Sequence, residues 1–137
     1  MFQDPAKRAA LEQILHPLIQ QRARELLTQA EAELPAAGIV VYSIPLLVET
    51  NSDIDFDCVV TVEAPEHKQL ERMTKHRGMT PADAKRRIAA QAAPAQRAGR
   101  ADYILNSNQA IELLELDARN LYHVLQESAL EKANQRG

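Results

Sequence analysis

Arginine and lysine crowd one stretch of a chain that is otherwise mildly acidic. "LERMTKHRGMTPADAKRRIAAQ", residues 70–91, carries Arg72, Lys75, Arg77, Lys85, Arg86 and Arg87 against only Glu71 and Asp83. Over residues 68–100 the balance is nine Lys/Arg to two acids, whereas residues 39–66 hold six acids and no Lys or Arg. Guanidinium groups grip phosphate oxygens through paired hydrogen bonds and neutralise charge on a transferring phosphoryl group. Phosphate recognition is therefore the chemistry this segment could perform, with Arg97 and Arg100 joining from the residues that follow. The alternative is ordinary: the same charges also suit the solvent faces of two helices joined by a short turn. A net charge of −3 over 137 residues argues against a protein that coats nucleic acid along its whole surface.

Other chemical signatures are weaker. The phosphate-loop pattern GxxxxGK[ST] is absent from the sequence, whose four glycines are Gly38, Gly78, Gly99 and Gly137. "DIDFDC" spaces Asp53, Asp55 and Asp57 like the start of a calcium loop, but Cys58 stands where glycine is needed and Ala64 where glutamate is needed. A polar turn into a strand is the better reading. His16, His67, His76 and His123 have no metal-ligand spacing with one another or with Cys58, so no metal site is expected. Cys58 reads as a small core residue, and a single cysteine forms no intrachain disulfide. Glu49 follows "IPLL" at the carboxyl end of an apolar run, where functional residues collect in open α/β sheets, although a solvated loop carboxylate fits as well. His16, before Pro17, is a substrate contact or simply a cap.

The elements that must position these residues are partly punctuated. Asp4 and Pro5 form a helix start, and Leu11, Ile14, Leu15, Leu18 and Ile19 continue with helical spacing. Pro17 predicts a break between one helix and another that runs to about Leu34. Residues 39–44 and 58–62 are β-branched runs, each read as a strand buried on both faces and closed by Pro45 and Pro65. A helix over 65–77 should stop at Gly78. Thr80, Pro81 and Asp83 start the next. "ADYILNS" is a short third strand. A last helix from about Asn108 presents Ile111, Leu114, Ala118, Leu121 and Leu125 on one face. Buried strands alternating with helices predict an α/β fold with a mainly parallel sheet layered between helices. No apolar run approaches the ~20 residues that span a bilayer, and the N-terminus lacks a signal-peptide layout, so a soluble cytoplasmic protein is expected.

The order of "DPAKRAALEQILHPLIQQ", "IPLLVE", "VVTVEAPEHKQLERM…RGMT…RIAAQ" and "R…ADYILNS" resembles dephospho-coenzyme A kinases, from about residue 2 to residue 125. The resemblance implies a P-loop kinase-like, three-layer αβα fold. It also implies transfer of the ATP γ-phosphate, with Mg²⁺, to the ribose 3′-hydroxyl of dephospho-CoA in coenzyme A biosynthesis. Residues 1–37 would be substrate-binding helices, 65–100 a lid-like helical segment, and the remainder the core sheet and C-terminal helix of one truncated domain. His16, Pro45, Leu47 and Glu49 would face the acceptor. Arg72, Arg77, Arg97 and Asn106, with Ser107 beside it, would face ATP.

The chain departs from the family at its start. The N-terminal strand, the phosphate loop and the aspartate thought to activate the acceptor hydroxyl have no counterpart here, so no catalytic residue is assigned. The expectation is a chain inactive alone, with an exposed sheet edge favouring self-association. The alternative is a non-catalytic remnant or binding module for CoA-like ligands or a protein partner.

Overall fold

The first helix begins where a side chain replaces the missing helical acceptor: Asp4 Oδ1 accepts from the N–H groups of Ala6 (3.0 Å) and Lys7 (3.3 Å), and Pro5 occupies the first helical position. This is seen in a computed structural model that describes residues 4–45, 47–50 and 54–136. The elements are α1 (Pro5–Glu33), α2 (Leu47–Thr50), β1 (Val60–Glu63), α3 (Glu66–Arg77), α4 (Pro81–Ala89), α5 (Pro94–Arg100), β2 (Tyr103–Asn106) and α6 (Ile111–Arg136). They form two compact units, one of Met1–Tyr42 with Leu125–Gly137 and the other of Ser43–Val124.

The first unit holds α1, which corrects the expected break. Pro17 lies inside an uninterrupted helix. Proline removes one main-chain hydrogen bond and crowds the preceding turn, but the stretches on either side, 5–16 and 18–33, keep helical geometry. Side-chain pairs three or four residues apart reinforce it: Gln21 and Arg22 both donate to Glu25, and Gln29 donates to Glu33. Ala23 is buried, whereas Ile14 (63%) and Leu18 (57%) on the expected apolar stripe stay exposed.

The second unit contains a two-stranded parallel sheet in which Val60 faces Tyr103 and Glu63 faces Asn106. Its entrance is closed by Asp102, whose Oδ2 accepts from the Val59 N–H at 2.7 Å while its own N–H donates to the Val59 carbonyl at 2.8 Å. Two strand expectations are corrected here. Residues 39–44 form no strand, and Val41 is 82% exposed. A β-branched run becomes a strand only when a neighbouring backbone accepts its ladder, and residues 39–44 are not part of the described β1–β2 sheet. β1 is buried on neither face: Thr61 and Glu63 are half-buried, while Val60 and Val62 are exposed.

The helices of this unit follow local chemistry. α3 has Glu66 in its first turn and Lys75, His76 and Arg77 in its last, which suits the helix dipole. It ends at Gly78, in the left-handed region at φ 61°, with the Met79 N–H returning to the Met73 carbonyl. Thr80 Oγ1 caps α4 by accepting from the Asp83 N–H, and Ala84, fully buried, lies on the helix that packs against α3. Two elements escape the sequence reading. α2 begins just beyond Pro45. In α5 Pro94 takes the first helical position and Gln96 Oε1 accepts from the Ala93 N–H at 2.9 Å. α6 begins at Ile111, three residues later than expected; Leu114, Leu121 and Leu125 are half-buried, and Ile111 and Ala118 are exposed.

A Cβ at either Gly78 or Gly99 would meet nothing within 4 Å, so backbone preference alone should decide the two substitutions. Gly78→Ala should destabilise by about 1 kcal/mol, because alanine resists a left-handed φ. Gly99→Ala, within α5, should stabilise by up to about 1 kcal/mol. Urea unfolding of both variants reads the two opposite signs.

Candidate functional site

Much of the basic segment is neutralised by its own neighbours. Glu71 accepts from Lys75 Nζ at 2.7 Å and from Lys68 Nζ at 3.2 Å, and these bonds hold its carboxyl at about 2. Asp83 accepts from the Thr80 hydroxyl at 2.7 Å and pairs with Arg86, and both depress its pKa. These are short-range helical pairs on solvent-facing surfaces, worth little individually. The bland reading of the charge run therefore holds for Lys68, Lys75 and Arg86.

Arg72 and Arg97 behave differently, because each reaches a strand end distant in sequence. Arg72, on α3, donates from Nη1 to Ser107 Oγ at 3.0 Å and from Nη2 to the Ser107 carbonyl at 2.5 Å. Ser107 follows the last residue of β2 and is itself anchored, its N–H and hydroxyl donating to the Glu63 carbonyl at 2.8 and 3.1 Å. Arg97, on α5, forms a two-pronged ion pair with Glu63, the last residue of β1: Nε to Oε1 at 2.9 Å and Nη2 to Oε2 at 2.6 Å. Its Nη1 also donates to the Ala92 carbonyl. The two side chains are only 18% and 21% exposed, so this pair is better shielded than the helix-surface pairs. The hydrogen bond from Arg97 is the main cause holding the Glu63 carboxyl below its ordinary value, against the opposing effect of burial.

The geometry thus gathers Arg72, Arg97, Asn106 and Ser107 at the carboxyl ends of two parallel strands, where ligands bind in open α/β sheets. Asn106 Oδ1 accepts from the Asn108 N–H at 2.8 Å and turns the chain toward α6. Arg77 is exposed at the end of α3, and its side chain makes no hydrogen bond or ion pair among the described residues. Arg100 is exposed at the end of α5. Of the acceptor-side candidates, Pro45 is an exposed turn residue and Leu47 is half-buried on α2, which packs against α5. The Glu49 side chain and the whole of Asp53 lie outside the described residues. His16 is exposed on α1 in the other unit. Burial and the carboxylates of Asp102 and Asp57 push the Cys58 thiol up, the opposite of nucleophile activation.

Glu63 and Asp102 are the functional-looking residues that sequence reasoning missed. A signal for Glu63 existed: an acid ending an apolar strand in "VVTVEAP" has the same placement that singled out Glu49. Asp102 offers no comparable mark, since an aspartate before a strand is common punctuation.

Comparison with known proteins settles the family. The sequence model described as dephospho-CoA kinase matches residues 1–112. The chain belongs to the dephospho-CoA kinase family. It is 43% identical over 119 residues to the dephospho-CoA kinase of Thermobifida fusca, covering 87% of this chain and 56% of that protein. The enzyme of Streptomyces avermitilis is 41% identical over 115 residues, covering 84% and 54%. That of Hydrogenovibrio crunogenus is 37% identical over 126 residues, covering 92% and 63%. The chain therefore spans between about half and two thirds of the length of these curated relatives. Among the described residues, no helix is long and apolar enough to cross a membrane.

Glu63 supplies a pH test. Its folded-state pKa is depressed below the ordinary 4.5, so its stabilising contribution is present above that value and is lost as pH falls through the lower one. The gap in unfolding temperature between wild type and Glu63→Gln should be widest near neutral pH and close in acid, where the wild-type carboxyl also becomes neutral. Thermal unfolding across that range reads it; an unchanging gap would mean the pair makes no pH-dependent contribution.

Proposed function

We propose that this chain forms the nucleotide- and acceptor-binding part of a soluble, cytoplasmic dephospho-CoA kinase, an enzyme that moves the ATP γ-phosphate to the ribose 3′-hydroxyl of dephospho-CoA. The observation that supports this most is the joining of Arg72 and Arg97, through Ser107 and Glu63, at one end of the parallel sheet. On this reading the second unit is one side of a three-layer αβα sandwich, and α3 with α4 acts as the lid. Arg72, with Arg77 beyond it on the same helix, meets phosphate oxygens. Arg97, Asn106 and Ser107 border the adenine end, while His16, Pro45, Leu47 and Glu49 belong to the acceptor side. The two outer edges of the described sheet have no paired strand, which favours self-association.

Phosphoryl transfer depends chiefly on positioning and on charge stabilisation around the β- and γ-phosphates. The sequence has no GxxxxGK[ST] pattern whose backbone N–H groups and lysine would do this. Among the described residues no His, Cys, Asp and Glu side chains gather into a metal-ligating group. Magnesium in phosphoryl-transfer sites keeps several waters and is held through one or two carboxylates and the substrate's phosphate oxygens. Binding and transfer should therefore separate in this chain, and a binding-only role toward CoA-like ligands is the second reading, favoured by the missing pattern.

Calorimetry with ATP should detect weak binding that Arg72→Ala reduces about tenfold, the loss of one charged hydrogen-bonding anchor. Mixed with ATP, Mg²⁺ and dephospho-CoA, the purified chain should give negligible 3′-phosphorylation. Turnover comparable to that of a full-length relative would overturn the separation, and failure to bind any ATP would overturn the nucleotide assignment.

A further inference from the structure

Glu63 occupies a junction of the hydrogen bonds at the sheet end. Its side chain receives both prongs of Arg97, and its main-chain carbonyl receives both the N–H and the hydroxyl of Ser107. Ser107 in turn receives Arg72 through its hydroxyl and its carbonyl. One residue thus lies between the two arginines, reached by the side chain in one direction and the backbone in the other. The connected groups come from β1, α5, the end of β2 and α3, four elements that sequence alone would leave independent.

From this geometry we infer that Glu63 is a positioning residue for nucleotide binding: its carboxylate sets the orientation of Arg97 and docks α5 on the strand end. The inference rests on the nucleotide reading proposed above. A guanidinium on a flexible stem spends rotamer entropy to meet a ligand unless something else has already fixed it. A two-pronged carboxylate fixes both the plane and the direction of the group. Lysine surface pairs such as Lys75–Glu71 provide no equivalent, because an ammonium has no plane to orient. Glutamine at position 63 keeps the size and one acceptor but gives up the charge and the second prong. Aspartate keeps the charge and the fork on a shorter stem.

The test uses the full chain with the Arg97 Nε–H followed by nuclear magnetic resonance and with ATP and inorganic tripolyphosphate as probes. In wild type the Arg97 Nε–H signal should be sharp and slow to exchange. Glu63→Gln should broaden it and weaken ATP binding about tenfold, and Glu63→Asp should recover part of both effects. In an Arg97→Ala background, Glu63→Gln should produce no further loss of affinity, because the carboxylate acts through that guanidinium. Additive losses would make Glu63 merely structural. An unperturbed Arg97 signal in Glu63→Gln, or unchanged ATP affinity despite a lost signal, overturns the inference while leaving the nucleotide reading intact. A wild-type chain that binds neither probe overturns both together.

Discussion

Two short strands paired in parallel decide where the charged groups of the second unit meet. With Val60 opposite Tyr103, the strands end together, Glu63 opposite Asn106. The chain leaving β1 enters α3, which places Arg72 within reach of Ser107 at the end of β2. The chain entering β2 comes from α5, which places Arg97 within reach of Glu63 at the end of β1. Slipping either strand by one residue would turn its side chains to the opposite face. Glu63 would leave Arg97, and both arginine contacts depend on that register. Asp102 helps to fix it from the other end by occupying both the N–H and the carbonyl of Val59.

The contrast among the cations follows from reach and shape. Lys68, Lys75 and Arg86 meet acids three or four residues away on their own helices, so their pairing is settled by local spacing and says nothing about a ligand. Arg72 and Arg97 instead bridge 35 and 34 residues of sequence. Their planar groups bond in two directions at once, which a point-like ammonium does less well. A count of positive charge treats all of these alike. The structure separates helix decoration from groups held at the sheet end.

What was legible in the sequence is what local chemistry determines. Asp4 with Pro5, Gly78, and Thr80 with Pro81 each satisfy or release backbone groups within one helical turn, so residue type suffices to place them. Residues 58–62 and "ADYILNS" were legible as strands of a mainly parallel sheet, but which strands pair and how far they are buried were not, because these depend on what packs beside and above a strand rather than on the strand itself. Residues 39–44 have the composition of a strand but take no part in the β1–β2 ladder. Pro17 misled for the opposite reason: one missing hydrogen bond was weighed without the helical turns on both sides that outlast it. At the site, the arginines announced themselves by type, whereas Glu63 mattered only through a partner 34 residues away.

The presence of a carboxylate at a cationic site has an electrostatic consequence. An isolated Glu63 at the strand end would repel any anion placed beside it, in surroundings that screen charge less than bulk water does. Paired with Arg97, it becomes nearly neutral at long range, whereas Arg72 donates to the neutral hydroxyl and carbonyl of Ser107. On the proposed nucleotide reading, the pair contributes shape and rigidity while Arg72 contributes attraction. On that reading the division lets the same few residues accommodate an acid beside an anionic ligand. It also separates two kinds of phosphate recognition: side-chain arginines can be tied down by strand ends, whereas a backbone cradle for the β- and γ-phosphates requires a loop of particular sequence. The two kinds of recognition thus place different demands on sequence.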